Sequence, residues 1–175
     1  MSENLQPDLS CVPFRRKGLY LLLTIPFLLL MAAVFVFLWL YSFLAALVLL
    51  GFYLAMCYFQ AYCCVYQDCP YTGGFCPAIA GIMPASPLAK YIYRRKTIIK
   101  SSKIFNRRAL LATFCWLGMI VLPLYWLFLK SPVLAGAYGL FHAVYFLIFG
   151  LTICPVCAIR NTCPGGKLQR LVFKC

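Results

Sequence analysis

An all-helical polytopic membrane protein is the fold class this sequence predicts, with four transmembrane helices forming two hairpins, each followed by a cytoplasmic cysteine-rich loop. Three observations predict it. Of the 175 residues, 65% are hydrophobic and only 11% charged, against roughly a half and a quarter in soluble domains. A soluble chain of this size could not bury so much apolar surface, whereas in a bilayer lipid serves as the solvent. Second, long stretches carry no charge at all, the longest running from Leu19 to Gln67. Third, the cations gather between the apolar stretches, the distribution of a chain oriented by its loop charges.

Residues 1–18 are polar and form a short cytoplasmic tail. Arg15-Arg16-Lys17 ahead of an apolar run imitates a signal peptide, but the run far outlasts the roughly 7–15 residues of a signal core, so a retained anchor is expected. The uncharged run from 19 to 67 would be about 73 Å long as one helix, more than twice a hydrocarbon core of about 30 Å. It must turn back, and Trp39-Leu40-Tyr41-Ser42 is the expected turn, since Trp and Tyr suit the interface. Spans over 19–40 and 43–66 follow, making a first hairpin within 19–66, with Pro26 bending the first span.

Residues 67–108 are expected to be a cytoplasmic segment in two parts. The first is rich in Cys, Pro and Gly, through Asp68-Cys69-Pro70 and Gly73-Gly74-Phe75-Cys76-Pro77. The second, from Ser86, spaces Leu88, Tyr91, Ile92, Ile98, Ile99 and Phe105 at near-helical intervals among eight cations. It reads either as an amphipathic helix on an anionic leaflet or as a solvated basic loop. Ser86-Pro87 marks its helix start, with Pro at the first position. The second hairpin is expected over 109–153, as spans 109–129 and 133–153 joined by Lys130-Ser131-Pro132, with Pro123 kinking the third span. A cysteine-rich tail, 154–175, ends the chain.

Charge sets the orientation. Sixteen Lys and Arg against three Asp and Glu make the net charge +13. In a soluble chain that would point to nucleic acid. Here all the cations except Lys130 fall on one side of four spans, which the positive-inside rule puts in the cytoplasm with both termini. No nucleic-acid partner is expected. The anionic leaflet is the expected lipid partner.

Chemistry rests on the eleven cysteines. Cys57 and Cys115 lie within spans and read as small packing residues. Cys63-x5-Cys69-Pro70 is echoed by Cys157-x5-Cys163-Pro164, each with a Gly pair following, a pattern consistent with internal duplication. Cys154-Pro155-Val156-Cys157 brings two more sulfurs together. Cytosolic thiols are kept reduced, so clustered ones bind metal or do redox chemistry more often than they staple a fold. Cys63, Cys69, Cys76, Cys154, Cys157 and Cys163 are therefore the candidate metal ligands. They would hold an iron–sulfur cluster in preference to zinc, since Cys-Pro recurs at cluster sites, although all-thiolate sites suit both. The function expected is that of a membrane subunit transferring electrons with other membrane or soluble redox subunits. Two further readings fit the same residues: a thiol–disulfide oxidoreductase using Cys154 and Cys157, and a structural or assembly subunit. Lipid-modified thiols near the membrane are the plainer alternative. No role is read for Cys11, Cys64 or Cys175.

His142, the only histidine, lies twelve residues before Cys154, about 18 Å along a helix, too far to share its metal. A polar contact between helices is expected of it. Asp68 reads as a solvated loop residue. One His and three acids supply no paired carboxylates and no Ser-His-Asp set, which excludes familiar hydrolase chemistry.

Overall fold

The structure, a computed structural model, describes residues 17–67, 85–93, 101–153 and 155. All the regular elements among the described residues are helices. They are α1 (Lys17–Tyr41), α2 (Phe43–Tyr66), a short α3 (Ala85–Tyr93), α4 (Ser102–Lys130) and α5 (Pro132–Thr152). Four of them are long and apolar enough to cross a membrane, as an integral membrane protein requires. At 1.5 Å per residue they measure about 31–43 Å, enough for a core of about 30 Å.

The joints are short. Ser42 alone separates α1 from α2, with extended backbone, and its hydroxyl accepts from the Ala45 N–H at 3.3 Å. This satisfies one of the N–H groups that every helix start leaves open. Ser131 alone separates α4 from α5, again extended, but its side chain makes no cap. Pro132 begins α5, where its missing N–H costs nothing.

Side-chain pairs set the helix directions. Tyr66 stacks on Phe105 at 4.6 Å and Phe52 meets Phe114 edge-on at 6.3 Å, so α2 and α4 run antiparallel. Trp116 packs on Phe146 at 4.6 Å and Tyr138 reaches the Met119 carbonyl at 3.5 Å, so α4 and α5 do too. Lys130 lies 5.0 Å from the Tyr41 ring centre, which brings the C-terminal ends of α1 and α4 together. It follows that α2 and α5 run parallel. The starts of α1 and α4 and the ends of α2 and α5 share one end of the bundle.

Residue size decides how closely the helices approach. The most extensive packing is α2 against α4, across the two halves of the chain rather than within either. Ala45, Ala46, Cys57 and Ala61 are buried on α2, and Ala112 and Cys115 on α4. Small residues let backbones draw together, which substitutes in lipid for a hydrophobic driving force. At Gly118 a Cβ would stand 2.9 Å from the Phe52 ring. The α1–α5 seam is the opposite case. Tyr20, Thr24, Phe27, Val34 and Leu38 of α1 are buried, as are Ala135, Tyr138, His142, Tyr145 and Phe149 of α5. Both series follow a repeat of about 3.5 residues, that of left-handed bundle packing. Their large rings keep the two backbones apart, with close approaches only at isolated points.

Two boundaries differ from expectation. α4 starts at Ser102, seven residues before the expected third span, so Lys103, Arg107 and Arg108 stand on its first turns. No helix boundary falls at 108/109, because good helix formers and a nearby partner helix carry the helix past the membrane edge. Of the basic segment, which reads as either an amphipathic helix or a solvated loop, the described part is α3, which packs on α2 with Ala89 fully buried, Leu88 against the core and Tyr91 82% exposed. Pro87 is the third residue of α3 rather than the first. The first turn tolerates it there, since those N–H groups have no helical acceptor. Pro26 and Pro123 lie inside α1 and α4 as expected.

Candidate functional site

Of the six expected metal ligands, only Cys63 is among the described residues. It stands half-buried in the last turn of α2, next to the half-buried Cys64. Cys69, Cys76, Cys154, Cys157 and Cys163 lie outside the described residues, as do Asp68, Cys11 and Cys175. Among the described residues no three His, Cys, Asp or Glu side chains gather as metal ligands. Cys57 and Cys115 are buried thiols outside any disulfide, in the packing positions expected of them.

The bundle geometry bears on how a thiolate site would close. α2 and α5 end on the same side but are not neighbours, with α1 and α4 standing between them. Adjacent axes lie about 8–10 Å apart, which puts diagonal ones roughly 11–14 Å apart. Sulfurs sharing one tetrahedral ion sit roughly 4 Å from each other. Ligands beyond the helix ends would have to bring the two sides together.

Around Cys63 the surroundings are aromatic and cationic. The Arg108 guanidinium lies 4.1 Å from the Tyr62 ring centre and 5.8 Å from that of Tyr58. Such contacts contribute about 0.5–1 kcal/mol at exposed sites and ~2 kcal/mol when desolvated. They pin the start of α4 to the end of α2.

A second polar group lies in the middle of the bundle, where the sequence signalled little. His142 and Tyr145 are each 96% buried, at 4% exposure. His142 Nδ1 lies 2.9 Å from the Tyr138 carbonyl oxygen. A carbonyl only accepts, so Nδ1 carries the proton and Nε2 of the neutral ring is a bare lone pair. Nε2 is buried without a hydrogen-bond partner among the described residues. Four rings border the imidazole: Tyr138 at 4.3 Å, Phe27 at 5.7 Å, Phe141 at 6.0 Å and Phe146 at 6.3 Å. Phe27 also stacks on Tyr145 at 4.5 Å. The Thr24 hydroxyl donates to its own helix, at the Tyr20 carbonyl, 2.6 Å away, and its oxygen is the acceptor beside the Tyr145 hydroxyl.

The expected polar contact of His142 between helices is thus an intrahelical bond, with ring contacts toward α1. The reason is local: an i−4 carbonyl is always within reach of a helical side chain, whereas the facing residue of α1 is Phe27. Tyr138, Tyr145 and Thr24 escaped the sequence reading. Their signal was there in the 138, 142, 145 spacing, which places all three α5 residues on one seam. The helix runs unbroken from His142 to Thr152, which keeps the imidazole about 15 Å from the end of α5.

Comparison with protein-family models, curated proteins and solved structures finds no match to this chain.

Proposed function

We propose that this chain is a membrane subunit of two transmembrane hairpins, each followed by a cytoplasmic cysteine-rich segment, that holds a cysteine-ligated metal centre for electron transfer. Cys63, Cys69, Cys76, Cys154, Cys157 and Cys163 are the ligands, and an iron–sulfur cluster is favoured over zinc. The observation that carries the reading is the parallel course of α2 and α5. The two repeats of the Cys-x5-Cys-Pro pattern begin, in the sequence, at or just after the ends of α2 and α5, and those two helix ends share one side of the bundle, as convergence of their sulfurs would require. Cys63 would supply a ligand from a fixed helix end, while Pro and Gly let the other segments curl inward over the diagonal gap. The C-terminal helix dipoles oppose bare thiolates there, and a bound cation reverses that balance.

Lys103, Arg107 and Arg108 mark the same end, and the positive-inside rule assigns it, with both termini, to the cytoplasm. An anionic leaflet and redox subunits of the same membrane are the partners this implies, with no role for nucleic acid. An iron–sulfur cluster would supply one-electron chemistry there.

Anaerobic purification followed by visible absorption, metal and acid-labile sulfide analysis tests the reading. Brown protein with iron and sulfide, lost in Cys157→Ser and Cys163→Ser, is the expected result. Colourless protein with zinc would remove electron transfer and leave a structural or assembly role. Metal-free protein with a Cys154–Cys157 disulfide that cycles would replace the reading with a thiol–disulfide oxidoreductase.

A further inference from the structure

One stripe of α4 changes from cationic to apolar at the membrane edge. The helix carries no charge from Ala109 to Leu129, about 31 Å of rise, which matches a hydrocarbon core of about 30 Å. Arg108 and Lys130 bracket that run, and Arg108 turns inward onto the Tyr62 and Tyr58 rings of α2. Lys103 and Arg107 are exposed instead, one turn apart. Steps of three and four residues carry the same face on through Leu110, Phe114, Leu117 and Val121, each more than half exposed. The described residues contain no Asp or Glu, so no carboxylate among them neutralises the pair. The stripe is particular to α4: α1 begins with the single cation Lys17, and α2 and α5 contain none.

Depth separates the two cations. Along the helix axis Arg107 lies about 3 Å and Lys103 about 9 Å beyond Ala109. A headgroup layer is roughly 5–8 Å thick on each side of the core. Arg107 is therefore level with the phosphodiesters, and Lys103 with whatever a headgroup projects beyond them toward water. We propose that this stripe binds one phospholipid whose headgroup carries a phosphomonoester beyond its phosphodiester, as a phosphorylated inositol does. Arg107 takes the phosphodiester, Lys103 the distal phosphate, and an acyl chain lies along Leu110, Phe114, Leu117 and Val121. A guanidinium grips phosphate oxygens in pairs, while an ammonium serves a phosphate as a point charge. Two phosphates side by side at one depth, as in cardiolipin, would engage Arg107 and leave Lys103 above them. The inference rests on the cytoplasmic, anionic-leaflet reading of this end of the bundle and is independent of the cysteine centre.

Native mass spectrometry of the full chain, titrated with one lipid at a time, reads the binding. The probes are a phosphatidylinositol monophosphate, phosphatidylglycerol, cardiolipin and phosphatidylcholine. The wild type should bind the phosphorylated inositol lipid most tightly. Lys103→Gln should weaken that lipid about fivefold, near the worth of one cation at a membrane surface, and leave phosphatidylglycerol and cardiolipin unchanged. Arg107→Gln should weaken all three anionic lipids, and Lys130→Gln, at the other end of the bundle, none. Equal wild-type affinity for phosphatidylglycerol or cardiolipin overturns the proposal, as does a Lys103→Gln effect shared by all three, and either result leaves the anionic leaflet as partner. No preference for any anionic lipid over phosphatidylcholine overturns both readings. The wild-type lipid series decides the matter alone if a variant does not fold.

Discussion

Gly118 shows what single atoms decide in this bundle. Its missing Cβ admits the Phe52 ring, which would otherwise meet that carbon at 2.9 Å. Overpacking of this kind typically costs about 1–3 kcal/mol. Gly118→Ala should therefore lower bundle stability by that order, and adding Phe52→Leu should recover part of the loss because the smaller side chain clears the space. Reversible unfolding in bicelles, run as a double-mutant cycle, measures both. Equal losses from Gly118→Ala with and without Phe52→Leu would show that the close approach is not the cause. Which of the helical glycines touches a ring was not legible in the sequence, since that depends on a residue 66 positions away. His142 makes the same point. Its isolation pointed to an internal polar role, whereas its proton position follows from one carbonyl at 2.9 Å.

At the scale of elements, the joints carry the most information. Trp39 and Tyr41 at an interface marked the first turn, and the break falls at Ser42, inside that turn, with α2 starting at Phe43 as expected. Ser131 marks the second. The two serines look alike in the sequence but differ in structure, because only Ser42 caps the following helix with its hydroxyl. Ser42→Ala should destabilise the bundle by about 1 kcal/mol, the typical worth of an N-cap, while Ser131→Ala should change it little. Chemical or thermal denaturation of the two variants side by side checks this, and equal effects would contradict the capping difference. The start of α4 was less legible. A run of cations suggested a surface helix or a solvated loop ending at Arg108, but helix propagation favours continuing through Lys and Arg once a turn has formed. Stacking of Phe105 on Tyr66 and of Arg108 on Tyr62 holds that extension against α2.

For the whole molecule, the pairing of helices sets where chemistry can occur. Antiparallel neighbours bring the cationic start of α4 and the ends of α2 and α5 to one end, and Lys130 to the other. With the positive-inside orientation, reagents that modify thiols but cannot cross membranes should leave Cys163 unlabelled in sealed, right-side-out vesicles and label it after permeabilisation. Labelling from outside would reverse the orientation. Composition along the chain was enough to set the class of protein, the four long helices, most of their limits and the segregation of charge. All of these follow from local composition weighed against the thickness and polarity of a bilayer. Only the tertiary structure decided that α2 packs most closely on α4, that α1 and α5 are held apart by rings, and that His142 and Tyr145 share one seam. These depend on which small and large side chains face each other across helices distant in the chain, and composition along one helix does not specify the face its neighbour presents.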